Sequence, residues 1–188
     1  MFERPSEWLA SVINGQYPKY ALLATHIEPL LSPQLPLPAH RDHGAAHIRR
    51  VALYAEILSY AYGADPVAAV AAAYCHDLGR IQDGKDADHG RRGWALCKPI
   101  LESRLPTVMS PSLQYAIEMH SAGQISDDPI VAALWDADRI DLMRFGRPPV
   151  LSKLDASRMS RPEAMHLAAT VIEFDLSYSE SISNPTLK

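Results

Sequence analysis

The chain has 188 residues, 47% of them hydrophobic, a formal net charge of −4 and two cysteines. That length supports one domain with a sizeable core. The negative balance gives no general electrostatic case for nucleic acid or anionic membrane, and no apolar run reaches the roughly 18 residues a membrane span needs.

In chain order, Ser6 caps an expected short helix to Asn14, stopped by Gly15, and Tyr17 to Leu31 forms a second. Ser32-Pro33-Gln34-Leu35-Pro36-Leu37-Pro38 is a connector with no helix propensity. We therefore take residues 1–38 as helices and connector packed on the domain, 39–176 as the domain itself, and 177–188 as a polar tail. A strong helix runs from Gly44 to Tyr62, with His47, Val51, Tyr54, Leu58 and Ala61 within roughly 40° of one line; Arg49 and Glu56 fall on the opposite side. Gly63 stops it. Asp65 caps the next helix, with Pro66 at its first position, and that helix is expected to end at Gly79. Gly79 to Asp88 reads as a polar loop. A helix from His89 is expected to be disturbed at Pro99. Ser110-Pro111 opens a helix with Leu113, Ala116, Ile117 and His120 on one face. Asp127, Asp128 and Pro129 open another with Ile130, Leu134, Ala137, Asp138 and Asp141 on one face, ended by Gly146. Ser160 and Glu163 form a capping box for a last helix to about Asp175. No alternating strand pattern occurs, so the expectation is an all-α, single-domain bundle. Cys75 and Cys97 both fall within predicted helices, which fits reduced thiols and a cytoplasmic setting.

Four cation-binding side chains thereby fall on the inner faces of separate helices: His47, the adjacent His76 and Asp77, and Asp138. Each alone has a plain alternative, such as a hydrogen-bonded core histidine or a capping aspartate. Their joint inward placement is harder to obtain without a shared partner. Asp136 lies about 200° from Asp138 and should point elsewhere, while Asp141 is placed to support or replace Asp138. His43 reads as a capping or supporting residue; His26, His40 and His166 follow no pattern.

The segments His47-Ile48-Arg49-Arg50-Val51, Cys75-His76-Asp77-Leu78-Gly79-Arg80 and Asp136-Ala137-Asp138-Arg139-Ile140-Asp141 resemble the HD-domain metal-dependent phosphohydrolases, over roughly Asp42 to Arg147. Asp42-His43-Gly44, Asp88-His89-Gly90 and Trp135 to Arg139 are similar to a bacterial branch of that family. The resemblance implies an HD-type helical bundle in which His47, His76, Asp77 and Asp138 bind a divalent metal (Mn, Fe, Co, Ni, Zn or Mg). It also implies cleavage of a small phosphorylated metabolite or nucleotide by metal-activated water. The order His47, His76-Asp77, His89, His120, Asp138 matches superfamily members with two ions, in which Asp77 would bridge and His89 and His120 would hold the second; otherwise those two histidines act on the substrate. Arg80, Lys85 and Arg92 are candidate phosphate contacts, and as a group with Arg91 and Arg139 they favour an anionic substrate. The same ligand order also permits a mixed-valent di-iron oxygenase. A non-catalytic nucleotide-sensing HD domain is the third alternative. The sequence leaves a homo-oligomer open.

Overall fold

The structure is a computed structural model that describes residues 42–146 without a break, together with residues 23, 26–31, 153–154, 159–160, 162–169 and 171. The expected helix at 6–14, most of that at 17–31, the Pro-rich connector, His40, the last residues of the final helix and the tail lie outside the described residues. Among the described residues there is no strand, and the architecture is all-α. No helix among them is long and apolar enough to cross a membrane.

Helix α1 spans Ala45–Tyr62 and ends on Gly63, whose φ of 73° lies in the left-handed region that glycine enters without a Cβ penalty. Helix α2, Pro66–Cys75, begins where the Asp65 carboxylate accepts from the Val67 amide at 2.9 Å, with Pro66 at its first position. Every residue from Ala68 to Cys75 is buried, so α2 is the axis about which the other helices pack. α1 lies against both α2 and α5 (Pro129–Asp141); α3 (His89–Arg104) packs on α4 (Pro111–Met119), and α4 on α5. Ser110 caps α4 by accepting from Leu113 N, and Asp128 caps α5 by accepting from Ile130 N and Val131 N. α5 runs into a 3-10 turn, Leu142–Phe145, closed by Gly146 at φ 69°.

Three expectations are corrected. α2 stops at Cys75, not Gly79: His76 to Gly79 continue as tighter turns, with Leu78 N donating to Cys75 O and Arg80 N to Asp77 O. The reason is the close passage of α3. A Cβ at Gly79 would collide with the His89 carbonyl and the Gly93 amide, and one at Gly93 would lie 2.7 Å from the Cys75 carbonyl. Secondly, α3 continues through Pro99. Pro99 and Ala95 are both exposed, so the carbonyl deprived of its partner faces water. Thirdly, the side of α1 opposite its apolar line is also covered in part: Glu56, which falls there, is 1% exposed. The chain before α1 crosses that side of the helix, and Glu56 accepts from the Leu23 amide at 3.2 Å. Arg49 on the same side stays exposed and pairs with Glu28.

The flanking pieces complete the core. Ile27, Leu31, Leu167, Ala168 and Val171 are each at most 3% exposed, and Tyr54 of α1 donates its hydroxyl to Ala168 O at 3.2 Å. Ser160 N donates to Glu163 Oε2 at 2.7 Å, one half of the expected capping box.

Candidate metal centre

Helix ends, and not helix middles, deliver most of the site. His47 lies in the first turn of α1. His76 and Asp77 leave the C-terminus of α2, His89 opens α3, His120 caps the C-terminus of α4, and Asp138 sits in the last turn of α5. These six side chains, predicted from five separate segments, come together. The four imidazoles and Asp77 are each at most 3% exposed, while the Asp138 side chain keeps 25% of its surface open.

The inner half of the cluster is formed by His47, His76, Asp77 and Asp138. His47 Nε2 stands 3.3 Å from His76 Nε2, 3.5 Å from Asp77 Oδ2 and 3.4 Å from Asp138 Oδ1. His76 Nε2 is 3.6 Å from Asp77 Oδ2 and 3.7 Å from Asp138 Oδ1. Most of these separations are too long for good hydrogen bonds. Donors about 2.1 Å from a shared ion stand about 3.4 Å apart in a tetrahedron and about 3.0 Å apart in an octahedron, so the spacing suits ligands better than it suits bonding partners. Asp77 Oδ2, fully buried, has no hydrogen-bond partner among the described residues. An orphaned carboxylate oxygen in a protein interior costs several kcal/mol unless a cation meets it. The donor set therefore fits a divalent ion, and mixed imidazole and carboxylate ligands suit a transition metal better than an oxygen-only ion.

The outer half turns on the other oxygen of the same carboxylate. Asp77 Oδ1 is 3.3 Å from His89 Nε2 and 3.4 Å from His120 Nε2, and it accepts from Arg80 Nε at 2.7 Å. The two Nε2 atoms of His89 and His120 approach to 2.7 Å. Donor groups able to hold a metal include His47, His76 and Asp138 together, and His76, Asp77 and His120 together, with the donor atoms of each set within 4.8 Å of one another.

What aims each ring is its Nδ1. His76 Nδ1 lies 2.7 Å from Ala73 O, His120 Nδ1 lies 2.8 Å from Ile117 O, and His89 Nδ1 bonds Asp86 O. Each carbonyl stands three residues back in the chain and can only accept, so Nδ1 carries the proton and the Nε2 lone pair faces the centre. His47 has no such carbonyl. Its Nδ1 donates to Asp141 Oδ2 at 2.7 Å, and Asp141 is held by Arg50 Nε at 2.7 Å and by Arg144. Arg144 also bonds Asp42 O, tying the end of α5 to the start of α1.

These surroundings set the charge states. Burial opposes charge on His47, yet the carboxylates of Asp138, Asp141 and Asp77 outweigh it and lift its pKa to about 10. His76 is pushed down to about 4 by burial, which the neighbouring carboxylates only partly offset. Burial raises Asp77 and Asp138, but the surrounding imidazoles overcome it and hold both below the usual carboxylate range. A metal must therefore displace a proton from His47 but finds His76 already neutral.

The other candidates are placed as follows. Arg80 and Lys85 line a cavity of about 400 Å³ beside His89, reached between the 80–87 loop and the turn at His120–Ala122. Arg92 is not in that wall: its guanidinium holds Gly79 O at 2.9 Å and the Asp86 carboxylate, bracing the loop. Arg139 clamps Gln124 O and Lys153 O, and the Arg91 side chain is 77% exposed. Asp136 points away, as its helical angle implies, and accepts from Tyr62 Oη at 2.9 Å. His43 bonds Asp83 at 3.1 Å, while His26 and His166 lie exposed on the surface. The residues that sequence reasoning missed are Arg50 and Arg144. Arg50 had a faint signal, three positions after His47 in the same motif; Arg144 had none.

A family model for the HD domain matches residues 44–143, which is 100 of the 188 residues and includes all six converging side chains. No curated protein and no solved structure gave a match.

Proposed function

The chain belongs to the HD-domain family, whose members are in general metal-dependent hydrolases, and from the geometry of its centre we propose that it is a metal-dependent phosphohydrolase acting on a small phosphorylated metabolite. The observation that carries this is the Asp77 carboxylate. One oxygen is buried without a hydrogen-bond partner among the described residues and faces two imidazoles, and the other faces two more. We assign His47, His76, Asp77 and Asp138 to one divalent ion. We assign His89 and His120, with Asp77 shared, to a second. The separations of Asp77 Oδ1 from His89 Nε2 and His120 Nε2, 3.3 and 3.4 Å, support the second assignment, while the 2.7 Å between the two Nε2 atoms is a hydrogen-bond distance that a shared proton accounts for.

Bound divalent ions supply two things here, a more acidic water at neutral pH and withdrawal of charge from a phosphoryl oxygen. The protein does the rest. Asp77 fixes the spacing of the two halves, and its charge is offset on the outer side by Arg80. Lys85 places positive charge along the cavity, where the equatorial oxygens of a phosphoryl group need it, and Arg80 lines the same wall with its charge paired to Asp77. Asp138, the one partly exposed carboxylate of the set, stays ionised beside His47 and would hold the first ion on its open side. Arg92 acts indirectly, by holding the loop that carries Arg80 and Lys85.

The test combines elemental analysis of the purified protein with a phosphomonoester panel run against Mn, Fe, Co, Ni, Zn and Mg. Two bound ions with phosphate release are expected. Two irons with oxygen-dependent absorption and no phosphate release would replace this reading with the oxygenase alternative, which uses the same six side chains. Full metal content with no turnover of any kind would leave a sensor.

A further inference from the structure

The cavity beside His89 carries information about what the phosphoryl group is attached to. Its walls are the 80–87 loop, the first residue of α3 and the 118–122 segment. At about 400 Å³ it is the size of a small-molecule site. Nucleobases bind chiefly by stacking on aromatic rings or guanidinium planes. The only ring in its wall among the described residues is His89, whose two nitrogens face Asp86 O and the centre, and the one arginine there is committed to Asp77 and the Gly84 carbonyl.

The polar inventory points the same way. The charge of Arg80 is met by Asp77, and that of Asp86 by Arg92. Glu118 uses one carboxylate oxygen to accept from the Gln114 side chain at 3.0 Å, and its other oxygen has no protein partner among the described residues. Lys85 and Ser121 stand in the same wall. The wall thus offers a carboxylate acceptor, an ammonium donor and a hydroxyl beside the apolar side chains of Ala87, Met119 and Ala122. A carboxylate acceptor disfavours a second anionic group next to it and favours hydroxyl donors. Hydroxyls can donate to Glu118 and accept from Lys85 and Ser121 at once.

We propose that this cavity holds the organic part of a sugar or polyol phosphate, with its hydroxyls on Glu118, Ser121 and Lys85 and its phosphoryl group toward Arg80 and His89. The position of the phosphoryl group rests on the hydrolase reading above; the hydroxyl-binding wall does not.

Amide NMR of the full chain, freed of metal by chelation, tests the wall without turnover. The probes are sorbitol 6-phosphate, uridine 5′-monophosphate and ethanolamine phosphate. Sorbitol 6-phosphate is expected to shift the amides of Lys85, Ser121 and Ala122 and to bind about tenfold more tightly than the other two. Glu118→Gln, a substitution at a half-buried position, is expected to weaken it about tenfold, the usual scale of one hydrogen bond to a charged group. Equal or tighter binding of either other probe, shifts confined to other regions, or an unchanged affinity in Glu118→Gln would overturn the proposal. The two readings fail separately. If the metal-loaded protein binds sorbitol 6-phosphate in the cavity but releases no phosphate, the hydrolase reading falls and the hydroxyl-binding wall stands. If it cleaves p-nitrophenyl phosphate while sorbitol 6-phosphate does not bind, the reverse holds.

Discussion

The two halves of the centre use the same chemical groups but hold them differently. In the inner half, His47 is aimed by a side chain, Asp141, which is itself gripped by Arg50 and Arg144. In the outer half, His89 and His120 are aimed by main-chain carbonyls of their own segments. The inner half joins the first and last helices of the matched region through contacts 94 residues apart in sequence. The outer half is assembled from local turns. A long-range side-chain network can be weakened by one substitution, whereas a carbonyl three residues back is lost only when the helix end unwinds. The inner ion should therefore be the one whose affinity mutations tune most readily, and the outer one the more sensitive to backbone movement in the 80–88 loop.

The most severe way to break the contrast is at Asp77, which serves both halves. Asp77→Ala is expected to reduce metal content to background by elemental analysis and to abolish hydrolysis; a variant with full metal would remove the basis of the assignment. Next in size is His120→Gln, which is expected to lower the metal content from two ions to one, leaving the inner half loaded. Asp141→Asn should act on the other half alone. It keeps the shape but weakens the acceptor for His47, and a loss of about 10–100-fold in affinity for one ion is expected by competitive chelator titration. Equal loss at both ions would show that the halves are not separately supported. The smallest effect is the pH dependence of the metal-free protein. His47 has a folded pKa raised to about 10, so its contribution to stability is complete below about 6.5, its unfolded value, and is lost as pH rises toward 10. His76 is lowered to about 4, so the unfolded chain takes up a proton first as pH falls from about 6.5 to 4, and stability is lost in that direction. Melting temperature without metal should peak at about pH 6.5, where the two windows meet. Metal loading should flatten the alkaline side, because the ion replaces the proton on His47.

The sequence made His76, His120 and Asp138 legible because a strong signal opens each of their helices. Asp65-Pro66, Ser110-Pro111 and Asp128-Pro129 mark where α2, α4 and α5 begin, and helical spacing counted from there puts the three side chains on inner faces near the far ends. Asp141 was visible as one turn beyond Asp138, but not its bond to His47, since no local pattern encodes a contact across the bundle. Arg92 looked like a phosphate contact from its position one turn after His89; its bonds to Gly79 O and Asp86 depend on how the loop folds back. Glu56 falls opposite the apolar line, and its burial was not legible because the segment that covers it lies more than 30 residues earlier. The early end of α2 was hidden for a related reason. Gly79 stops nothing by its own conformation and serves instead to let α3 pass.

The bonds from His76 to Ala73 O and from His120 to Ile117 O have a further meaning. The last carbonyls of a helix lack amide partners within it. Here two of them are closed by the very rings whose other nitrogens face the ions, so each ring works as a rivet through both the helix terminus and the centre. Whatever holds Nε2 also restrains the fraying of α2 and α4. Hydrogen exchange at those two termini would then slow together on metal loading, making the ends of two helices a direct readout of occupancy.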